Sequence, residues 1–253
     1  MSEGAGIRDV VVHADADTLA AAVAARLAGR LIDAQAAHGS ASVVLTGGRI
    51  AEKIYTALRT SPARDTVDWS RVDLWWGDER FLPAGDPDRN ETQARAVLLD
   101  ALPVPADRVH PMPASDGPDG ADPEAAAARY AGELASAGNA TLPRFDVVLL
   151  GIGEDGHVAS IFPGHPVGAE TQPVSAVRDS PKPPPIRTTL TLPTLNTAED
   201  VWILASGEGK ADAVGMALNG NGDHPVPAAA VHGTVRTLWL LDRDAAAQVK
   251  TLG

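Results

Sequence analysis

Three stretches of this chain obey one rule: a short, predominantly apolar run ends in a glycine turn, and helical sequence separates it from the next. Ser42–Leu45 runs into Thr46-Gly47-Gly48, Val72–Trp76 into Gly77-Asp78-Glu79-Arg80, and Phe145–Leu150 into Gly151-Ile152-Gly153. A strand that is apolar on both its faces must be covered on both, which a parallel sheet between helices provides. Ile7–His13, Val201–Ala205 and Thr237–Leu241 complete the strands. Helices are expected from the Asp15/Asp17 caps to about Ala37, then at Ile50–Arg59, Glu91–Leu99, Pro123–Ala137, Lys210–Leu218 and Ala245–Val249. The expectation is an α/β chain, Rossmann-like, with a mostly parallel sheet flanked by helices on both faces. Its 253 residues carry no composition shift that separates two cores, so residues 1–253 read as one domain. Pro111–Asp122 reads as an exposed loop and Pro181–Pro185 as extended polyproline.

Composition narrows the partners. A net charge of −12 argues against nucleic acid or anionic lipid, so an anionic ligand would need a few locally placed cations. There is no cysteine, which removes thiolate nucleophiles, disulfides and thiolate-held metals. No apolar run approaches the ~20 residues of a membrane span. The start, Met1 to Val12, reads as carrying no leader. A cytoplasmic chain with no membrane partner, a monomer or weak dimer, is expected.

In open α/β sheets ligands sit beyond the carboxyl ends of the strands, where the polar motifs of this chain fall. Gly151, Gly153 and Gly156 match a dinucleotide fingerprint. Yet Pro163-Gly164 interrupts the helix such a site needs, and no acidic residue follows at the usual ~20-residue offset. Tight steric packing explains the glycines without a nucleotide. It leaves Asp155 and His157 displayed on the turn. His157 is the candidate base, since a neutral imidazole accepts a proton from water near pH 7; a loop histidine without chemistry is the alternative. The seven histidines show no compact metal-ligand spacing, so no metal is expected. Thr46-Gly47-Gly48 before a helix offers a phosphate cradle or an ordinary turn. Arg80, Arg187 and Lys210 are cations at comparable places, each with the alternative of pointing into water.

Read together, VVLTGG (43–48), VDLWWGDERFLPAGDPDRN (72–90), FDVVLLGIGEDGHVASIFPG (145–164), IRTTLTLPTLN (186–196) and VWILASGEGKADAV (201–214) resemble the family of glucosamine-6-phosphate isomerases and 6-phosphogluconolactonases, on its lactonase side. The resemblance covers nearly the whole chain. It implies hydrolysis of a sugar-phosphate lactone in the oxidative pentose phosphate pathway, with no cofactor or metal. It implies that His157 is the base and that Asp155 and Arg80 orient it, Arg80 by pairing with the Asp155 carboxylate. Thr46, Gly47, Gly48, Arg187 and Lys210 are implied as the sugar-phosphate site. Arg49-Ile50 departs from the small Ser/Thr-Pro pair usual after that glycine turn. A deaminase-like isomerase is the alternative, but Phe162 stands where that branch carries a glutamate, and a phenyl ring relays no proton. A non-catalytic sugar-phosphate sensor is the other.

Overall fold

The computed structural model describes residues 7–220 and 225–250; the first six residues of the segment read above for a leader lie outside that range. Six strands form one parallel sheet: β1 (Ile7–His13), β2 (Ala41–Leu45), β3 (Val72–Trp76), β5 (Val147–Gly151), β8 (Asp200–Ala205) and β9 (Arg236–Asp242). Their order across the sheet is β1-β9-β8-β5-β2-β3. Strands β2 and β8 are buried at every position, as continuous apolar runs covered on both faces require. The helices are α1 (Ala16–His38), α2 (Arg49–Thr60), α3 (Asn90–Val97), α4 (Pro123–Ala137), α5 (Leu192–Leu195), α6 (Ala211–Asn219) and α7 (Pro227–Ala230). Helix α1 begins where the Asp15 carboxylate accepts the Thr18 amide and ends at Gly39, whose positive φ closes the last turn.

The strand order places the ligand cleft. The chain leaves β2 toward β3 on one side, and leaves β5 toward β8 and β9 on the other. The loops after β2 and β5 therefore diverge, and a crevice opens between them at the carboxyl end of the sheet.

Four local readings are corrected. A second, antiparallel sheet exists that the sequence pattern did not signal: β4 (Asp78–Arg80), β6 (Val174–Val177) and β7 (Arg187–Leu190), in the order β4-β7-β6. What reads as a charged turn after β3 is its first strand, fixed by Arg80 pairing with Arg187 in the ladder. Residues 181–185 are bends with a cis Pro183–Pro184 bond rather than polyproline. Their carbonyls, from Lys182 to Pro184, turn toward the guanidinium of Arg187. The expected closing helix at 245–249 is a run of turns; the Asp242 carboxylate takes the Ala245 amide at 2.8 Å and also holds the loop after β8. The 111–122 loop is irregular but not simply exposed: Met112 is buried and its carbonyl accepts from the buried Arg89 at 2.7 Å.

Candidate active site

A cavity of about 510 Å³ fills the predicted crevice. Its wall includes Thr46, Gly47, Gly48, Arg80, His157, Arg187 and Lys210, so all but one of the residues proposed from sequence border one space. The exception is Asp155, which stands behind His157.

The loop after β5 is built to present that histidine. It folds back on itself rather than starting a helix: Gly153 N–H donates to the His157 carbonyl at 2.8 Å, and Gly156 N–H to the Gly153 carbonyl at 3.0 Å. Each glycine has a steric reason. A side chain at Gly153 would overlap the His157 ring, and Gly156 has φ +83° with Val226 against its α-carbon. Of the glycines that resemble a dinucleotide fingerprint, Gly153 is thus imposed by the imidazole and Gly156 by its backbone and Val226.

The Asp155 Oδ1 lies 2.5 Å from the His157 Nδ1. This bond places the proton on Nδ1 and leaves Nε2 as the acceptor. Burial pushes the His157 pKa below its ordinary value of 6.5, outweighing the Asp155 charge that favours protonation. The ring is therefore neutral at pH 7. Burial would raise Asp155, but the hydrogen bond with His157 prevails and holds it low. Phe162, 2% exposed, packs on the His157 ring at 4.5 Å between centroids and carries the Arg187 guanidinium 5.7 Å from its own centroid. One phenyl ring thus spaces the base from a cation.

The other wall is the loop after β2. The Tyr55 hydroxyl donates to the Thr46 carbonyl at 2.7 Å and accepts its amide at 3.1 Å. The Thr46 amide is therefore not available to a ligand. The amides of Gly47 and Gly48 have no protein partner among the described residues, and they lead into the N-terminus of α2. Gly47 is forced: a Cβ there would collide with the Asn90 side chain. Asn90 is held in turn by the buried Glu79, which also accepts the Arg80 and Glu91 amides. Burial pushes Glu79 up to about 7 against the pull of Arg89 and those amides.

Beyond β8, the Asp242 carboxylate holds the Ser206 hydroxyl at 2.6 Å and the Gly207 amide at 3.0 Å. That loop delivers Lys210 to the cavity at the start of α6. Burial lowers the Lys210 pKa, and so do the neighbouring charges of Lys182 and Arg49; Glu154 opposes them. Arg187, 6% exposed, is likewise lowered by burial.

One proposed pairing does not form. Arg80 donates from Nη1 to the Asp88 carbonyl at 2.5 Å and makes no ion pair with Asp155. The cation beside that carboxylate is Lys182, with Nζ 3.9 Å from Oδ1. Strand β4 carries Arg80 along the second sheet, whereas the folded proline segment brings Lys182 in. Sequence reasoning missed Lys182, Asn90 and Asp78, which also border the cavity. Arg49 opens α2 at its rim. A separate cluster of His38, Asp146 and Glu199 lies at the opposite end of β5 and β8, where Arg30 reaches Glu199 at 2.6 Å.

Comparison with known proteins agrees with this geometry. Residues 14–239 match the family described as glucosamine-6-phosphate isomerases/6-phosphogluconolactonase. The 6-phosphogluconolactonase of Streptomyces coelicolor is 59% identical over 245 residues, covering 95% of this chain and 94% of that protein. That of Mycobacterium tuberculosis is 48% identical over 243 residues, covering 95% and 98%. The solved structure of 6-phosphogluconolactonase from Trypanosoma brucei superposes with a TM-score of 0.83 at 32% identity, covering 98% of this chain and all of that one. The cleft, its histidine loop and these matches together assign the chain to the glucosamine-6-phosphate isomerase/6-phosphogluconolactonase family.

Proposed function

We propose that this chain hydrolyses 6-phospho-D-glucono-1,5-lactone to 6-phosphogluconate, the lactone-opening step of the oxidative pentose phosphate pathway. The observation that carries the reading is a neutral, Asp155-oriented His157 in a cavity bordered by Arg187 and Lys210. The near relatives that bear this enzyme's name support it.

The phosphate is held by Lys210, Arg187 and the free amides of Gly47 and Gly48, with the Thr46 hydroxyl beside them. Binding the anionic end positions the distant acyl carbon. Water attacks C1 as His157 Nε2 takes its proton, while Asp155 supports the imidazolium that forms. The same proton then passes to the departing ring oxygen. A lactone is an activated acyl group, so an oriented water, a base and nearby cations suffice. No metal or cofactor enters this scheme. Phe162, packed on His157, offers no group for the proton relay an aminosugar isomerase requires, which favours the lactonase reading over the deaminase one.

On this reading residues 1–253 work as one domain, as a monomer or weak dimer, on a small sugar phosphate and on neither nucleic acid nor membrane. The doubly charged substrate does not cross a bilayer unaided, so the enzyme is placed in the cytoplasm with it. The test is an assay on freshly generated lactone, corrected for spontaneous opening, beside an ammonia assay on glucosamine 6-phosphate. Lactone turnover without ammonia is expected. Ammonia release without lactone turnover would make the chain an isomerase, and neither activity would make it a sensor.

A further inference from the structure

Opening the lactone changes the charge at its reacting end. Water adds to C1, the bond from C1 to the ring oxygen breaks, and that oxygen leaves as a hydroxyl with the proton relayed by His157. The carboxylic acid so formed releases one proton to solvent. A neutral acyl centre becomes an anion, while the phosphate is unaltered. A cavity that served the phosphate alone would have no use for a free cation at the base end.

This cavity has one. Arg49, Lys53, Arg80, Lys182, Arg187 and Lys210 border it, against the one carboxylate of Asp78 among the described residues. Lys53 is spent on Asp17 at 2.6 Å, and Arg80 directs one guanidinium N–H to the Asp88 carbonyl. Lys182 is different. Its Nζ has one carboxylate within 4 Å among the described residues, Asp155 Oδ1 at 3.9 Å, too far for a hydrogen bond. That oxygen is already taken by His157. The ammonium therefore keeps its three donors for a ligand. Its backbone is not loose: the Lys182 amide donates to the Ser180 hydroxyl, and its carbonyl accepts from the buried Arg187 at 3.1 Å. Lys182, His157 and Lys210 border the same cavity, and the Lys182 charge lowers the pKa of both His157 and Lys210.

We propose that Lys182 forms a subsite for the carboxylate that lactone opening creates, so that open-chain aldonic acid phosphates are the class of anion this cavity retains. The proposal rests on the lactonase reading above. It makes the product a competitive inhibitor stronger than its phosphate alone would allow, and so ties turnover to the removal of an acid by the reaction that follows.

The test uses two ligands that differ only at C1. Gluconate 6-phosphate carries the carboxylate, and glucitol 6-phosphate carries an uncharged hydroxymethyl group in its place. Binding of each is measured by calorimetry to the full chain, to Lys182→Gln and to Lys182→Arg. The native chain is expected to prefer the acid by about tenfold, as one charge-assisted hydrogen bond supports. Lys182→Gln should cut that preference to about twofold or less while leaving glucitol 6-phosphate binding unchanged, and Lys182→Arg should restore most of it. Equal affinity for the two ligands in the native chain would overturn the proposal. So would a Lys182→Gln variant that weakens both ligands by one factor, since that places the lysine on the phosphate. Lactone turnover by the native chain alongside equal affinities would refute the subsite and leave the proposed function standing. Absence of turnover and of binding by either ligand would remove both.

Discussion

The imidazole of His157 lies across the α-carbon of Gly153, so closely that a methyl group there would overlap the ring and press on the Asp155 carboxylate. The glycine is a mould for the base. Gly153→Ala should fold, since the backbone at 153 is not in a left-handed conformation, but the ring must shift. A displacement near 1 Å is enough to cost on the order of 10²-fold in kcat. KM should stay within about twofold because the phosphate contacts lie on other loops. Steady-state kinetics with near-native kcat would show that the ring has room the structure denies it.

The Asp155 carboxylate selects which ring nitrogen carries the proton. In Asp155→Asn the amide group can donate to Nδ1, which moves the imidazole proton to Nε2 and removes the acceptor. A fall in kcat of about 10²–10⁴-fold is expected, with the fold intact by circular dichroism. An Asp155→Asn variant of near-native rate would mean that the orientation of the ring is set elsewhere.

The pH profile follows from the direction of the His157 shift. Burial holds the imidazole below its ordinary value of 6.5, and only the neutral form accepts the proton. The rate kcat/KM should be level from pH 7 upward through neutrality and fall about tenfold per unit on the acid side, with its midpoint below 6.5. An acid limb centred above 7 would contradict the burial argument.

Lys210 comes from the loop after β8, and its loss should be felt in binding. Lys210→Ala is expected to raise KM by about 10–100-fold, the range of a hydrogen bond to a charged group, with a smaller change in kcat. Unchanged KM would take Lys210 out of the phosphate site.

A histidine outside the site predicts a pH-dependent stability. His110 stacks on Trp75 at 3.8 Å between centroids, bonds Glu133 at 2.7 Å and faces Asp73 at 3.6 Å. Burial would lower its pKa, but these two carboxylates outweigh it and hold the ring at about 9. The folded value exceeds the unfolded one, so the stabilisation is complete below about 6.5 and fades as pH rises through 9. Denaturant titrations should find the gap between the native chain and His110→Gln wide at pH 6 and narrowed by pH 9.5. A gap independent of pH would remove the charged pair from the account.

Much of this was legible in the chain. β1 and β3 have the bounds read from their β-branched and apolar runs, and α4 starts at its N-terminal proline; in β3 and α4 local pattern and burial agree, whereas β1 is an edge strand with no buried residue. The three-stranded second sheet was not legible: Asp78–Arg80 and Arg187–Leu190 are short, polar strands paired across more than a hundred residues, and neither carries an alternating apolar signal. Lys182 was hidden for a related reason. A proline run reads as extended, but the Arg187 guanidinium gathers its carbonyls and turns the lysine inward, a tertiary effect no local propensity contains. Asp242 likewise looks like the plain end of an apolar strand until the Gly207 loop is seen hanging from it.

The central claim is that His157 takes the proton from the attacking water. Its most direct test is the initial rate of hydrolysis of freshly generated 6-phosphogluconolactone at pH 7 by the native chain and by His157→Ala, corrected for uncatalysed opening. The account predicts a native rate well above background and a kcat reduced about 10²–10⁴-fold in the variant, with KM little changed. A His157→Ala protein that turns the lactone over at close to the native rate would contradict it.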